Sequence, residues 1–186
     1  MRGTVTLMGQ DHALVEVNGI GYRVVAGPAL LATLRAGTEA FVYTHHLVRE
    51  DQQALFGFAT TEELAFFELL MTVSQVGPRL ALAITTAHPV TRLQLAIVTD
   101  DTDVFTSVSG VGRKTAQRII LELKEKVHAA GIAAGGGATD SDVVAALESL
   151  GYSGGEARRA AGVVAGSEDE LDARIKAALQ ELARSR

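Results

Sequence analysis

The chain has 186 residues, of which 47% are hydrophobic, and it contains no cysteine. That length is enough to bury more than one hydrophobic core, and the missing thiols exclude disulfides, thiolate metal sites and cysteine nucleophiles. The formal net charge of −5 argues against a protein that binds nucleic acid through its bulk charge. Residues 65–128 hold seven Lys and Arg against six Asp and Glu, so a basic surface there must be local and held on one face.

The beginning of the chain carries no apolar leader, and no stretch reaches the roughly eighteen apolar residues that a membrane span needs. The absence of cysteine fits a reducing interior. We therefore expect a cytoplasmic protein without a membrane partner.

Residues 1–63 have the short apolar stretches and turn signals of a small β-domain. Asn18-Gly19 predicts a tight hairpin, because both residues tolerate positive φ. A short helical stretch follows at 29–34, and a polar tip at 49–53 separates the last two strands. Strands are predicted at 1–7, 13–17, 22–25, 40–46 and 54–58. Five short strands over this length predict a closed or nearly closed barrel of the OB type.

Residues 64–128 change to a helical period, which predicts an all-α domain. Thr60-x-x-Glu63 forms a capping-box pattern ahead of the first helix. Asp100 or Asp101 can cap a short helix, and a long helix is predicted from about Arg113 to Val127.

An Ala- and Gly-rich segment, 129–139, predicts a flexible linker, because its run of three glycines, Gly135–Gly137, cannot hold a fixed backbone cheaply. The remaining residues, 140–186, predict a separate three-helix domain. Asp140 or Ser141 is expected to cap its first helix, Ser153 the second and Ser167 the third.

One motif occurs twice. Ser74–Ile84 aligns with Ser109–Ile119 at a constant offset of 35 residues, and each copy reads as helix, tight hairpin, helix. A glycine just before a helix lets backbone N–H groups approach an anion, and the helix N-terminus adds unpaired donors and positive dipole. Basic side chains follow each glycine, so the pattern predicts binding to the phosphates of a DNA backbone. The candidate DNA-binding residues are Gln75, Val76, Gly77, Pro78, Arg79, Gly110, Val111, Gly112, Arg113, Lys114 and Arg118.

These residues also have simpler interpretations. Each hairpin alone could be a tight connection in a helical bundle, but a repeated glycine followed by cations has no packing reason. Gly110–Thr115 lacks P-loop spacing, because Arg113 separates the glycine from Lys114. His45 and His46 are adjacent on a predicted strand and so point to opposite faces, which argues against a shared metal ion. The sequence thus predicts no metal, no cofactor and no catalytic residue.

The order of barrel, two hairpins, linker and three-helix tail resembles the RuvA family, the Holliday-junction-binding subunits of the bacterial branch-migration complex. The resemblance covers the whole chain. The motifs that carry it are Met1-Arg2-Gly3, Asn18–Tyr22, Tyr43–His45, Val48–Asp51, Leu55–Phe58, Val76–Ile84, Gly110–Ala116 and, in the tail, Leu147-x-x-Leu150-Gly151-Tyr152. One departure stands out: the first hairpin has Gln75 where the second has Gly110 and where the family usually has glycine. At positive φ, Gln75 would be strained.

The resemblance implies a homotetramer, or two tetramers as an octamer, that holds four-way junction DNA open in recombination, repair and the SOS response. It implies that Glu50 and Asp51 form an acidic pin that repels phosphates at the crossover. From composition alone, the same residues would be interpreted as a solvated turn. Arg49 beside them is a further candidate for contact with DNA. It also implies that 140–186, a UBA-like domain, docks on the hexameric ATPase RuvB, with the resolvase RuvC as a further candidate partner. Leu147, Leu150 and Tyr152 are either core residues or contact residues in that docking.

Two other functions remain open from the residues. A helix-hairpin-helix glycosylase would need an acidic residue about one helix beyond the hairpin, and 113–127 offers only Glu122 and Glu125, without a pocket motif. A related nuclease would need clustered carboxylates and a basic residue on a separate domain, and the sequence shows no such cluster. A scaffold that binds duplex or single strands through the barrel would need stacking aromatics and positive charge there. The acidic N-terminal third does not favour the scaffold.

Overall fold

The computed structural model describes residues 1–132, 139–165 and 171–184. The chain divides into two compact units, Met1–Glu68 and Leu69–Arg186. The predicted flexible glycines, Gly135–Gly137, lie outside the described residues, as does the predicted cap Ser167.

The first unit is built on one six-stranded sheet with strand order β4-β1-β2-β3-β6-β5. Strands β3 and β6 pair in parallel and the other pairs are antiparallel. A short helix, α1, covers Pro28–Thr33. The strands are β1 Arg2–Met8, β2 His12–Val17, β3 Ile20–Ala26, β4 Glu39–Phe41, β5 Tyr43–Val48 and β6 Gln53–Phe58.

The sheet curls because its two edge strands are successive pieces of one segment. β4 pairs with β1 at one edge, β5 pairs with β6 at the other, and Val42 alone separates β4 from β5. Val42 is buried, and its N–H donates to the carbonyl of Met1 at 2.8 Å. The strand predicted over 40–46 is therefore divided at this bend. The curled sheet agrees with the predicted OB-type barrel.

Alternation of apolar residues along the strands fills the barrel. Val5, Val15 and Val24 point inward from the first three strands and are almost fully buried. Asn18 and Gly19 have φ of 50° and 81°, which confirms the predicted hairpin turn between β2 and β3.

Helix α2 spans Thr61–Met71 and begins where the capping pattern predicted. The hydroxyl of Thr60 accepts from the N–H of Glu63 at 3.2 Å. The Glu63 carboxylate reaches one residue further back than in a capping box, to the N–H of Ala59 at 2.8 Å. Phe67 of α2 packs on the rings of Phe56 and Phe58, with centroids 5.4 and 4.9 Å away.

The second unit is helical. Its core is formed by large side chains that are fully buried on facing helices, among them Leu70, Ile84, Leu93, Phe105 and Ile119. The helices are α3 Pro78–Ala87, α4 Val90–Val98, α5 Thr102–Thr106, α6 Arg113–Ile132, α7 Asp140–Ser149, α8 Gly154–Val163 and α9 Leu171–Arg184. None of the helices in the described part of the chain combines the length and the apolar character needed to cross a membrane.

Several helix ends differ from expectation by a few residues. The long helix α6 runs to Ile132, five residues beyond Val127, so the predicted linker starts as helix. Thr139, rather than Asp140 or Ser141, caps α7, because its hydroxyl and the Asp142 carboxylate form a reciprocal capping box. The predicted caps Asp101 and Ser153 are confirmed.

The three C-terminal helices lie against the hairpin helices. In the described residues, α7 contacts α6, and α9 contacts α4. The buried side chain of Gln94 on α4 donates from Nε2 to the carbonyl oxygen of Leu150, at 2.6 Å. Lys124 of α6 pairs with Asp100 at 2.8 Å and approaches Asp172 of α9 at 3.7 Å.

Candidate nucleic-acid interface

The first hairpin connects α2 to α3. The N–H of Val73 donates to Leu70 at 3.0 Å, and the N–H of Val76 donates to Val73 at 3.2 Å, so the chain turns tightly without leaving these groups unpaired. Gly77 then caps α3 in an extended conformation, and Pro78 occupies the first helical turn, where a missing N–H costs nothing.

The second hairpin repeats these bonds at the same offset. Val108 donates to Phe105 at 3.1 Å, and Val111 donates to Val108 at 3.0 Å. Ala116 donates to Gly112 at 2.9 Å, as Ala81 does to Gly77 in the first copy. The sequence repeat is therefore also a repeat of backbone geometry.

In each hairpin a buried valine is followed by an exposed glycine. Val76 and Val111 are 7% and 6% exposed and anchor the two tips in the core. A Cβ added to Gly77 or to Gly112 would meet nothing within 4 Å, and neither residue has a positive φ. Neither packing nor backbone conformation thus requires glycine at these positions. The open space beside each glycine leaves room for a group outside the chain to approach the backbone closely.

Positive charge lies next to both glycines. Arg79, Arg113 and Lys114 are exposed in the first turns of α3 and α6, and Arg118 is partly exposed one turn later. None of the four forms an ion pair with a residue in the described part of the chain. Unpaired cations beside the free N–H groups of two helix N-termini are the chemistry that holds phosphate.

The two tips differ at one residue. Gln75 has φ +67° and Gly110 has φ +89°, so both hairpins use the left-handed region at equivalent positions. The strain predicted for Gln75 is confirmed, because this region favours glycine.

The acidic tip lies between β5 and β6. The N–H of Arg49 donates to the carbonyl of Gln52 at 2.8 Å and closes the turn. Glu50 and Asp51 are exposed at its apex. The strand pair thus holds two carboxylates in solvent at the end of a hydrogen-bonded hairpin and concentrates negative charge there.

The two adjacent histidines have different surroundings. Nδ1 of His45 lies 2.9 Å from the Glu68 carboxylate, and its ring packs on Phe67 with centroids 5.2 Å apart. His46 is exposed and lines an open cavity of about 560 Å³ with Tyr22. The structure thus does not bring the two rings to one site.

The three tail residues suggested for a partner contact are in the interior. Leu147 and Leu150 are fully buried and Tyr152 is nearly so. Gly151, with φ +97°, ends α7 and lets the N–H of Tyr152 bond back to Leu147 at 3.1 Å. In the described arrangement these side chains form a core.

Sequence reasoning missed two polar residues that tie the helices together. Gln94 was detectable as the one polar residue within the apolar α4 stretch 93–98. Glu122 accepts at Oε2 from the N–H of Ser74, at 3.0 Å. That bond joins residues 48 positions apart, so no local pattern announces it. The same bond engages Glu122, one of the two α6 acids that could have served a glycosylase.

An OB-type barrel followed by two helix-hairpin-helix elements is typical of DNA-binding proteins. Comparison with known proteins identifies the family within that class. Residues 1–57 match the model of the RuvA N terminal domain, 67–125 match a SAM-like helix-hairpin-helix tandem, and 140–183 match the RuvA C-terminal domain. The chain belongs to the RuvA family.

Curated relatives extend over the whole chain. A protein of Thermobifida fusca is 42% identical over 198 residues, covering 100% of this chain and 98% of its own. A protein of Acetivibrio thermocellus is 40% identical over 197 residues, covering 99% and 98%. Both carry the name Holliday junction branch migration complex subunit RuvA.

Proposed function

We propose that this protein is the Holliday-junction-binding subunit of a branch-migration complex, acting in recombination and DNA repair in the cytoplasm. The observation that carries the proposal is the repeated hairpin, in which Gly77 and Gly112 are exposed and are not needed by the fold itself. Backbone N–H groups and unpaired cations at each hairpin bind phosphates without reading sequence.

The acidic tip gives the proposal its junction specificity. A protein that only wrapped duplex DNA would gain nothing from Glu50 and Asp51, which are exposed at a hairpin apex. Brought together from several subunits, these carboxylates would hold the strands apart at a crossover while the hairpins hold the arms. We propose a homotetramer, alone or paired as an octamer, because one chain supplies only two hairpins for a junction with four arms.

A competition assay tests junction binding. Labelled four-way junction should be retained against an excess of linear duplex of the same sequence, and affinity should fall steeply with salt because phosphate contacts release counterions. Equal competition by junction and duplex would rule out the proposed specificity.

The acidic tip has its own test. Replacing Glu50 and Asp51 with Gln and Asn removes charge at nearly constant shape, so the affinity for DNA should rise. Replacing the exposed Glu39, on β4, with Gln is the matched control, since it removes one charge elsewhere on the same unit. A fall in affinity in the tip variant would contradict a repulsive role.

We further propose that 140–186 docks on a hexameric ATPase of the RuvB type, that this chain hydrolyses no ATP itself, and that a RuvC-type resolvase shares the junction. Because α7 and α9 pack on α6 and α4, deleting the tail would expose apolar surface of the hairpin unit. Hydrogen exchange of the full chain with and without the ATPase is the better experiment. Added protection should fall within 140–184, and protection restricted to the hairpins would contradict the docking role. The pure chain, incubated with ATP and DNA, should release no phosphate.

A further inference from the structure

Polar bonds connect the two hairpin copies. The turn that enters the first hairpin is held by α6, the helix that leaves the second. The N–H of Ser74 donates to Glu122 at 3.0 Å, and one turn further along α6 the ammonium of Lys126 bonds to the hydroxyl of Thr72. Arg118, Glu122 and Lys126 follow one another on α6 at intervals of four residues and so lie on one face of the helix. That face carries a basic residue proposed to bind phosphate and then the two residues that bond to the first hairpin.

A corresponding bond exists on the other side. Ser107, which enters the second hairpin, is equivalent to Thr72 at the offset of 35 residues. Its hydroxyl lies 2.8 Å from Nε2 of His88, the residue that ends α3. Each hairpin entrance is thus bonded to the helix that leaves the other hairpin, through the middle of α6 in one case and through the end of α3 in the other. The side chains differ between the copies, but the arrangement is reciprocal.

A carboxylate is a poor neighbour for a phosphate-binding hairpin. By charge alone, Glu122 weakens the attraction of DNA to the first hairpin, so its place there needs another reason. It lies nine residues after Arg113, or about 14 Å along the helix axis, at the rise of an α-helix. The Glu122 carboxylate therefore connects α6, the helix that begins at the second hairpin, to the backbone of the first hairpin.

We propose that Glu122 is a positioning residue that fixes the spacing between the two phosphate-binding hairpins. Two phosphates on one duplex arm are a fixed distance apart, so hairpins held at that spacing bind both without an ordering cost at the moment of binding. The proposal rests on the proposed DNA-binding function, and it assigns Glu122 a role that requires no contact with DNA.

Two substitutions of Glu122 separate positioning from charge. Glu122→Gln keeps an oxygen that accepts from Ser74 and removes the charge, whereas Glu122→Ala removes both. Glu122→Ala should weaken junction binding about fivefold, the size of one net hydrogen bond, and Glu122→Gln should bind at least as tightly as the unchanged chain. Glu125→Ala is the matched control, because Glu125 is exposed on the same helix and has no bonded partner among the described residues.

The opposite set of affinities would contradict the proposal. If Glu122 acts only through its charge, Glu122→Ala, Glu122→Gln and Glu125→Ala will all raise affinity, and the proposal is wrong. Fluorescence anisotropy with a labelled four-way junction at fixed salt measures these affinities. If the unchanged chain does not prefer junction to duplex, the proposed function fails. The Glu122 comparison can still be made on duplex, since the hairpins contact backbone.

A double-mutant cycle distinguishes an effect of Glu122 on the first hairpin from a general loss of stability. Gly77→Ala leaves the fold intact, because a Cβ there meets nothing within 4 Å, but it should obstruct the approach of a phosphate to the first hairpin. With that hairpin disabled, Glu122→Ala should cost less than twofold further. An undiminished fivefold loss in the Gly77→Ala background would show that Glu122 acts through overall stability and would overturn the proposal.

Discussion

Exchanging Gln75 for glycine should stabilise the hairpin unit. Gln75 has φ +67°, and for a residue with a Cβ this region costs about 1–2 kcal/mol. Glycine adopts it freely, but glycine also loses about 0.5–1 kcal/mol more backbone entropy on folding. The difference is a net gain of about 0.5–1 kcal/mol. For a chain of this size that gain corresponds to an increase in Tm of about 1–4 °C.

The second hairpin supplies the reverse experiment. Gly110 occupies the equivalent position with φ +89°, and a Cβ there would lie 3.6 Å from Cδ1 of Leu80, an ordinary contact. Gly110→Gln therefore introduces the conformational cost without a clash, and should lower Tm by a similar amount. The doubly exchanged chain should melt close to the unchanged one.

Gln75→Ala distinguishes backbone strain from a contact of the side chain. It retains a Cβ and so retains the strain, and the Gln75 side chain is exposed, so Tm should hardly move. Differential scanning calorimetry measures all four variants. If Gln75→Ala raises Tm as much as Gln75→Gly, or if Gln75→Gly lowers it, the argument from φ is refuted.

Two further predictions concern the C-terminal helices. Gln94→Ala should leave the carbonyl of Leu150 without its buried donor and destabilise the contact between α4 and the C-terminal helices by about 1–3 kcal/mol. The loss should appear as faster hydrogen exchange in α7. Gln117→Ala, at an exposed position on α6, is the control and should change little. The N–H and hydroxyl of Thr139 hold the pKa of Asp142 below its ordinary value of 3.8. The stabilisation that the Asp142 carboxylate gives to the capping box is therefore complete above pH 3.8. It is lost as the pH falls through the lowered pKa of Asp142 in the folded chain. Amide shifts of α7 titrated from pH 5 to 2 should show this loss, and should not in Asp142→Asn.

The features that the sequence predicted well are those decided by neighbouring residues. The Asn18-Gly19 turn, the Asp101 cap and the strain at Gln75 each follow from local backbone chemistry. The hairpin repeat was also visible, because the same residue types recur at one offset and impose the same turn twice. The local signals were sufficient to order the barrel and hairpins correctly.

The features that escaped prediction depend on residues far apart in the chain. The division at Val42 follows from closure of the sheet, since β4 and β5 must pair at opposite edges. The bond from Gln94 to Leu150 joins residues 56 positions apart, and it places Leu147 and Leu150 in a core rather than on a surface. Periodicity reports that a face is buried, but not what covers it.

The two hairpins separate two physical reasons for a glycine. At position 110 the backbone itself requires it, because φ is positive, and the chain bears the cost of a side chain at position 75. At positions 77 and 112 φ is not positive and the space is open, so the fold would accept alanine. Substitution at 75 or 110 should therefore change Tm, whereas alanine at 77 or 112 should leave Tm in place and weaken DNA binding. If alanine at 77 and 112 lowered Tm and left affinity unchanged, these glycines would serve the fold, and the assignment of the hairpins as phosphate sites would lose its support.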